Sequence, residues 1–152
     1  LLENSFLKAR TVHRITGLPA IADDTGLEVD ALNGAPGIFS ARFAGEKATY
    51  ADNVNKLLLD MISFSENVRT ARFRTVASFT NGDKELWTEG LIEGEITREV
   101  RGTGGFGFDP IFKVIQTGKT FAEMKAKEKN EISHRGLALR KMQELLKNTF
   151  KE

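Results

Sequence analysis

The sequence predicts an α/β fold with helices packed on a mixed β-sheet. Three observations carry that expectation. Apolar residues recur at helical spacing in 2–15, 48–62 and 133–150. The segment Ala71 to Thr80 alternates apolar and polar side chains, as a half-buried strand does. Asn81-Gly82 directly after it is the strongest short hairpin signal in the chain.

The elements follow in order. Leu2 to Ile15 reads as an amphipathic helix on Leu2, Phe6, Ala9 and Val12, stopped by Gly17 and Pro19. Leu18 to Ala22 is a short buried strand that ends in Asp23-Asp24-Thr25-Gly26, where glycine allows a sharp turn. Val29 and Leu32, then Gly34, Pro36 and Gly37, give a further short strand and a tight loop. Ala48 to Ile62 is a second helix, capped by Thr49, with Val54, Leu57, Leu58 and Met61 as its apolar stripe. In the strand from Ala71, Phe73, Ala77 and Phe79 share one face and Arg72, Arg74 and Ser78 the other. Glu85 to Val100 returns as one or two strands with bulges or bends at Gly90 and Gly94. Gly102 to Pro110 is a glycine-dense loop, Ile111 to Ile115 a short strand, and Lys125 to Asn130 a polar loop. Ser133 caps a third helix reaching Phe150, with Leu137, Leu139, Met142, Leu145 and Leu146 as its apolar positions.

The 152 residues suit one domain with a real core. A net charge of +1 gives no strong field for nucleic acid or a membrane surface, so neither is an expected partner. It also weighs against a nucleic-acid surface built on Arg69, Arg72 and Arg74. With no cysteine there is no disulfide framework, thiol nucleophile or cysteine zinc site. The two histidines, His13 and His134, are too few for a histidine metal site. No apolar run approaches a membrane span and no signal peptide is visible, so a cytoplasmic setting is expected.

Three stretches hold more glycine, charge and aromatic side chains than a core requires. In the first, Asp23 and Asp24 stand where a strand ends, a good place to hold Mg²⁺ through oxygen ligands. Adjacent like charges repel, so one of them is expected to be perturbed or metal-bound. Asp-Asp-Thr-Gly is also ordinary turn composition, and the residues alone leave both readings open. In the second, Gly104, Gly105 and Gly107 let backbone approach a ligand, Phe106 and Phe108 offer rings for base stacking, and Asp109 offers an acceptor. A plain turn over two core rings fits equally, and no helix follows as a dinucleotide fingerprint needs. In the third, Ser133, His134 and Arg135 open a helix whose N-terminus favours anions, and Lys129 adds charge; a solvated cap is the plainer reading. Together the three describe a site for an anionic, aromatic ligand with a divalent cation.

These residues resemble the inosine triphosphate pyrophosphatase-like family. The matching segments run in one order: Glu3-Asn4-Ser5 with Lys8-Ala9, Ala22 to Leu27, Gly34-Ala35-Pro36-Gly37, Ser40 to Phe43, Glu93-Gly94, Arg101 to Pro110, and Lys129 through Ser133-His134-Arg135. The resemblance implies an elongated α/β fold with a long mixed sheet, two lobes around a central cleft, and a homodimer. It implies hydrolysis of ITP, dITP and XTP to the monophosphate and pyrophosphate with Mg²⁺. By position, Asp24 matches the proton acceptor and metal ligand, and Thr25 a substrate-contacting hydroxyl. Phe106, Gly107, Phe108 and Asp109 match the base-binding loop, and Lys129, His134 and Arg135 the other substrate contacts.

There is one departure. The family opens with a strand, a phosphate-binding Thr/Ser-x-Asn-x-x-Lys loop and an acidic metal ligand, and this sequence shows none of them before Glu3. Roughly the first 40 residues of a typical member are expected to be missing, which sets a non-catalytic purine-nucleotide-binding fragment beside the enzyme as an alternative.

Overall fold

The computed structural model describes residues 1–151; Glu152, the last residue of the expected domain, lies outside them. In chain order the main elements are α1 (Leu2–Thr16), β1 (Ala20–Val29), β2 (Pro36–Gly37), α2 (Tyr50–Asp60), β3 (Thr70–Thr80), β4 (Glu85–Ile96), β5 (Phe112–Val114), α3 (Ala126–Ile132) and α4 (His134–Thr149). The strands form one sheet in the order β2-β1-β3-β4-β5. The α/β class is as expected, but the pairings are antiparallel rather than mixed. Leu27 stands opposite Gly37 and Ile96 opposite Phe112. Thr25 meets Thr75 while Asp30 meets Thr70, so β1 and β3 run in opposite senses. β1 with β2, and β3 with β4, are joined by short connections, which only antiparallel partners permit.

The chain divides into two compact units. The first holds Leu1–Thr25, Arg74–Leu91 and Ile132 onward; the second holds Gly26–Phe73 and Ile92–Glu131. In the first unit, β3 is covered on both faces. Ala77 and Phe79 pack on Ala138 and Met142 of α4. On the opposite face the buried Ser5 hydroxyl of α1 lies 2.7 Å from Ser78 and donates to the Ala22 carbonyl. Ser78, expected on a solvated face, is buried because α1 lies over it.

The second unit is built on three rings, Phe73, Phe112 and Phe121, with centroids 4.5 to 5.8 Å apart. Stacked and tilted pairs at this spacing add to what ring burial alone contributes. Arg69 is fully buried and donates to the carbonyls of Met61, Phe64, Ile96 and Thr97. Burial pulls its pKa below the usual arginine value. Arg72 is engaged by Asp30 and Glu93, and in the first unit Arg74 is engaged by Glu89. The three arginines of the nucleic-acid reading are therefore spent on internal contacts.

Four local expectations change. First, β1 does not end at the carboxylates; it continues to Val29, and Asp23 to Gly26 are strand residues. Second, the expected polar loop at Lys125 to Asn130 is largely the helix α3, none of whose residues is buried. Its Lys and Glu residues are good helix formers, but a polar helix has no apolar stripe to betray it. Third, Gly90 and Gly94 are sites of close approach. A Cβ on Gly90 would lie 2.0 Å from the His134 carbonyl oxygen, and one on Gly94 2.5 Å from that of Lys113. Fourth, the hairpin loop spans Asn81 to Lys84, with the Asn81 side chain accepting from Asp83 and Lys84. Both expected caps are present: Thr49 forms a capping box with Asp52, and Ser133 accepts from the Gly136 N–H.

Candidate active site

In the first unit the site is built on β1. Side chains alternate along a strand, so Asp23 and Asp24 point to opposite faces of the sheet. Asp24 turns toward α1, where Lys8 Nζ lies 3.0 Å from its Oδ1 and also donates to the Asp23 carbonyl at 2.9 Å. Asp23 turns toward α4, where Arg135 Nε lies 2.6 Å from its Oδ2. The repulsion expected between adjacent carboxylates is thus answered by geometry, each meeting its own cation. Oδ2 of Asp24 makes no hydrogen bond among the described residues.

The α1 helix sets Lys8 in place. Ser5, one turn earlier, is clamped between β1 and β3, so the face of α1 bearing Lys8 is held against the carboxylate strand. Sequence reasoning gave Lys8 no role. Its spacing of three from Ser5 on a helix was the available signal. The Thr25 hydroxyl lies 2.7 Å from that of Thr75. Ser133 caps α4 and presents His134 and Arg135 in its first turn. His134 is buried, with 7% of its surface exposed, and its carbonyl fills the space that Gly90 leaves. The terminal nitrogens of Arg135 make no hydrogen bond or ion pair among the described residues.

In the second unit the glycine loop closes on itself. Asp109 is buried, and its Oδ2 accepts from the Phe106 N–H at 3.0 Å and from Lys129 Nζ at 2.5 Å. Its carboxylate is an internal tie rather than the free acceptor expected from sequence. Gly105 is required there: at φ +69° its Cβ would stand 2.2 Å from that same oxygen. Phe108 is buried against Phe43, at 6.4 Å between centroids, whereas Phe106 is 54% exposed. Of the two rings only Phe106 is open to solvent. Lys129 Nζ lies 4.4 Å from its centroid and Tyr50 tilts beside it at 6.4 Å. Gly107, at φ +59°, turns the chain between the two rings.

Every predicted site residue therefore falls in one of two clusters. Asp24, Thr25, His134 and Arg135 gather with Lys8 and Asp23 in the first unit, and Phe106, Gly107, Phe108, Asp109 and Lys129 in the second. Among the described residues no group of three or more His, Asp or Glu side chains forms a closed metal site. No helix among them is long and apolar enough to cross a membrane.

Known proteins resemble this chain over most of its length. A dITP/XTP pyrophosphatase of Shigella flexneri is 51% identical over 150 residues, covering 97% of this chain and 76% of that protein. One from Desulforamulus reducens is 48% identical over 149 residues, covering 97% and 74%. The structure of a HAM1 protein from Coxiella burnetii superposes with a TM-score of 0.89 at 46% identity, covering 96% of this chain and 76% of that one. The Staphylococcus aureus Ham1 protein gives 0.90 at 40% identity, covering 97% and 76%. The model of the Ham1 family matches residues 1–145, and the chain belongs to that family.

Proposed function

We propose that the protein hydrolyses the non-standard purine nucleoside triphosphates ITP, dITP and XTP to the monophosphate and pyrophosphate. The observation that carries this is the pairing of Lys8 with Asp24 on β1, in a chain about half identical to proteins named for that activity. Because the pairing supplies a base and a cation together, the non-catalytic reading is not favoured.

The residues suit the chemistry. Asp24 takes a proton from water through its unengaged Oδ2, and the water oxygen bonds to the α-phosphorus. The α–β anhydride bond breaks and its electron pair leaves with pyrophosphate. Lys8 supplies positive charge where anionic oxygens crowd, and charge neutralisation is most of what phosphoryl transfer asks of a protein. Asp24 is also the group to hold Mg²⁺, which takes one or two carboxylates alongside phosphate oxygens and water. Bound there, the ion would shield the phosphates and acidify a coordinated water.

The base is read by the other residues. Phe106 offers an exposed ring for stacking. The terminal nitrogens of Arg135, with the backbone at the start of α4 and His134, donate to a 6-oxo group. A 6-amino group there leaves those donors unpaired, which a site built to pair them disfavours. Thr25, Gly107, Phe108, Asp109 and Lys129 complete the substrate contacts by position or support. A homodimer and a cytoplasmic setting belong to the same reading.

The decisive assay is hydrolysis of dITP and XTP beside dATP and dGTP with Mg²⁺, separating pyrophosphate from orthophosphate. Pyrophosphate from dITP and XTP alone supports the proposal; equal turnover of all four, or orthophosphate, overturns it. Sedimentation equilibrium tests the dimer.

A further inference from the structure

Asp23 and Asp24 are neighbours in sequence but not in task. The strand sends Asp24 toward Lys8 and Asp23 toward Arg135. The Asp23–Arg135 contact is made by a single hydrogen bond. A guanidinium that only stabilises a carboxylate tends to grip it with two parallel bonds. Here a single 2.6 Å bond is made by Nε, and neither terminal nitrogen is used among the described residues. The bond fixes the guanidinium and leaves its outer edge open. Asp23 lies within β1, and its side chain is 25% exposed against 50% for Arg135.

Resting on the purine reading above, we propose that Asp23 is a positioning residue for base selection. Its carboxylate holds Arg135 by Nε so that the two terminal nitrogens face the purine 6-oxo edge. Without it, Arg135 keeps its charge but not its aim, and the preference for inosine over adenosine bases falls.

The test uses Asp23→Ala, Asp23→Asn, Arg135→Ala and the Asp23→Ala/Arg135→Ala double variant. Two quantities are read: the ratio of kcat/KM for dITP over dATP, and the ratio of dissociation constants for IMP and AMP by calorimetry. Asp23→Ala is expected to lower both ratios about tenfold, the size of a coupled contact pair. The double variant is expected to match Arg135→Ala alone, and Asp23→Asn, which keeps an acceptor for Nε, to retain most of the preference. The Mg²⁺ concentration for half-activation is expected to stay at the wild-type value. Undiminished preference in Asp23→Ala, losses that add in the double variant, or a raised Mg²⁺ requirement would each overturn the proposal. If the wild type prefers inosine and Asp23→Ala does too, only this inference falls. If the wild type binds IMP and AMP alike, the purine reading falls with it.

Discussion

Lys129 Nζ lies 2.5 Å from Asp109 Oδ2, and the same oxygen accepts the Phe106 N–H. One carboxylate therefore ties the α3 helix to the loop that displays Phe106. The Asp109 side chain is only 4% exposed and that of Lys129 14%, so the pair lies largely out of solvent. Removing one member of a buried pair costs about 3 kcal/mol because the other is left uncompensated. Lys129→Met is expected to show that loss in urea unfolding, and Lys129→Met with Asp109→Asn to recover part of it.

The Lys8–Asp24 pair predicts the opposite balance. Lys8 is 54% exposed, and ion pairs that open to solvent contribute under about 1 kcal/mol. Asp24→Asn is expected to leave the melting temperature nearly unchanged while kcat for dITP falls by roughly 10²–10⁴, the range for a lost general base. Thermal scans beside steady-state kinetics separate the two effects.

Gly90 gives a packing prediction. A Cβ there would stand 2.0 Å from the His134 carbonyl oxygen and 2.7 Å from the Ala138 nitrogen, both backbone atoms that cannot rotate away. Gly90→Ala is expected to cost about 3 kcal/mol, at the upper end for overpacking. Because the clash lies at the first turn of α4, KM for dITP is expected to rise as well. Wild-type stability and KM in this variant would show that α4 does not rest on β4 there.

A pH prediction comes from Asp30. The Thr70 hydroxyl, followed by the Arg72 guanidinium, holds its carboxyl below the usual value of 3.8. A folded-state pKa below the unfolded one adds stability that is present above about pH 4 and lost as pH falls through the folded value. Thr70→Val removes the larger cause. It is expected to raise the Asp30 pKa toward 3.8 in a carboxylate NMR titration and to reduce the loss of stability on that acid limb.

The sequence by itself determined what is set within a turn or two of chain. The caps at Thr49 and Ser133 were legible because the hydroxyl and its backbone partner lie three residues apart. The hairpin at Asn81 was legible because its side chain closes its own loop. The glycine loop could be found by composition, but not the inward turn of Asp109, which takes its partner from Lys129 twenty residues on. The α3 helix was hidden because its solvated faces carry no apolar period. Tertiary structure alone decided the chemistry of the carboxylates. Lys8 reaches Asp24 across 16 residues and Arg135 reaches Asp23 across 112, distances over which no local periodicity survives. Only the packing of α1 and α4 on opposite faces of one strand gives two adjacent aspartates two different partners, because successive side chains of a strand point apart.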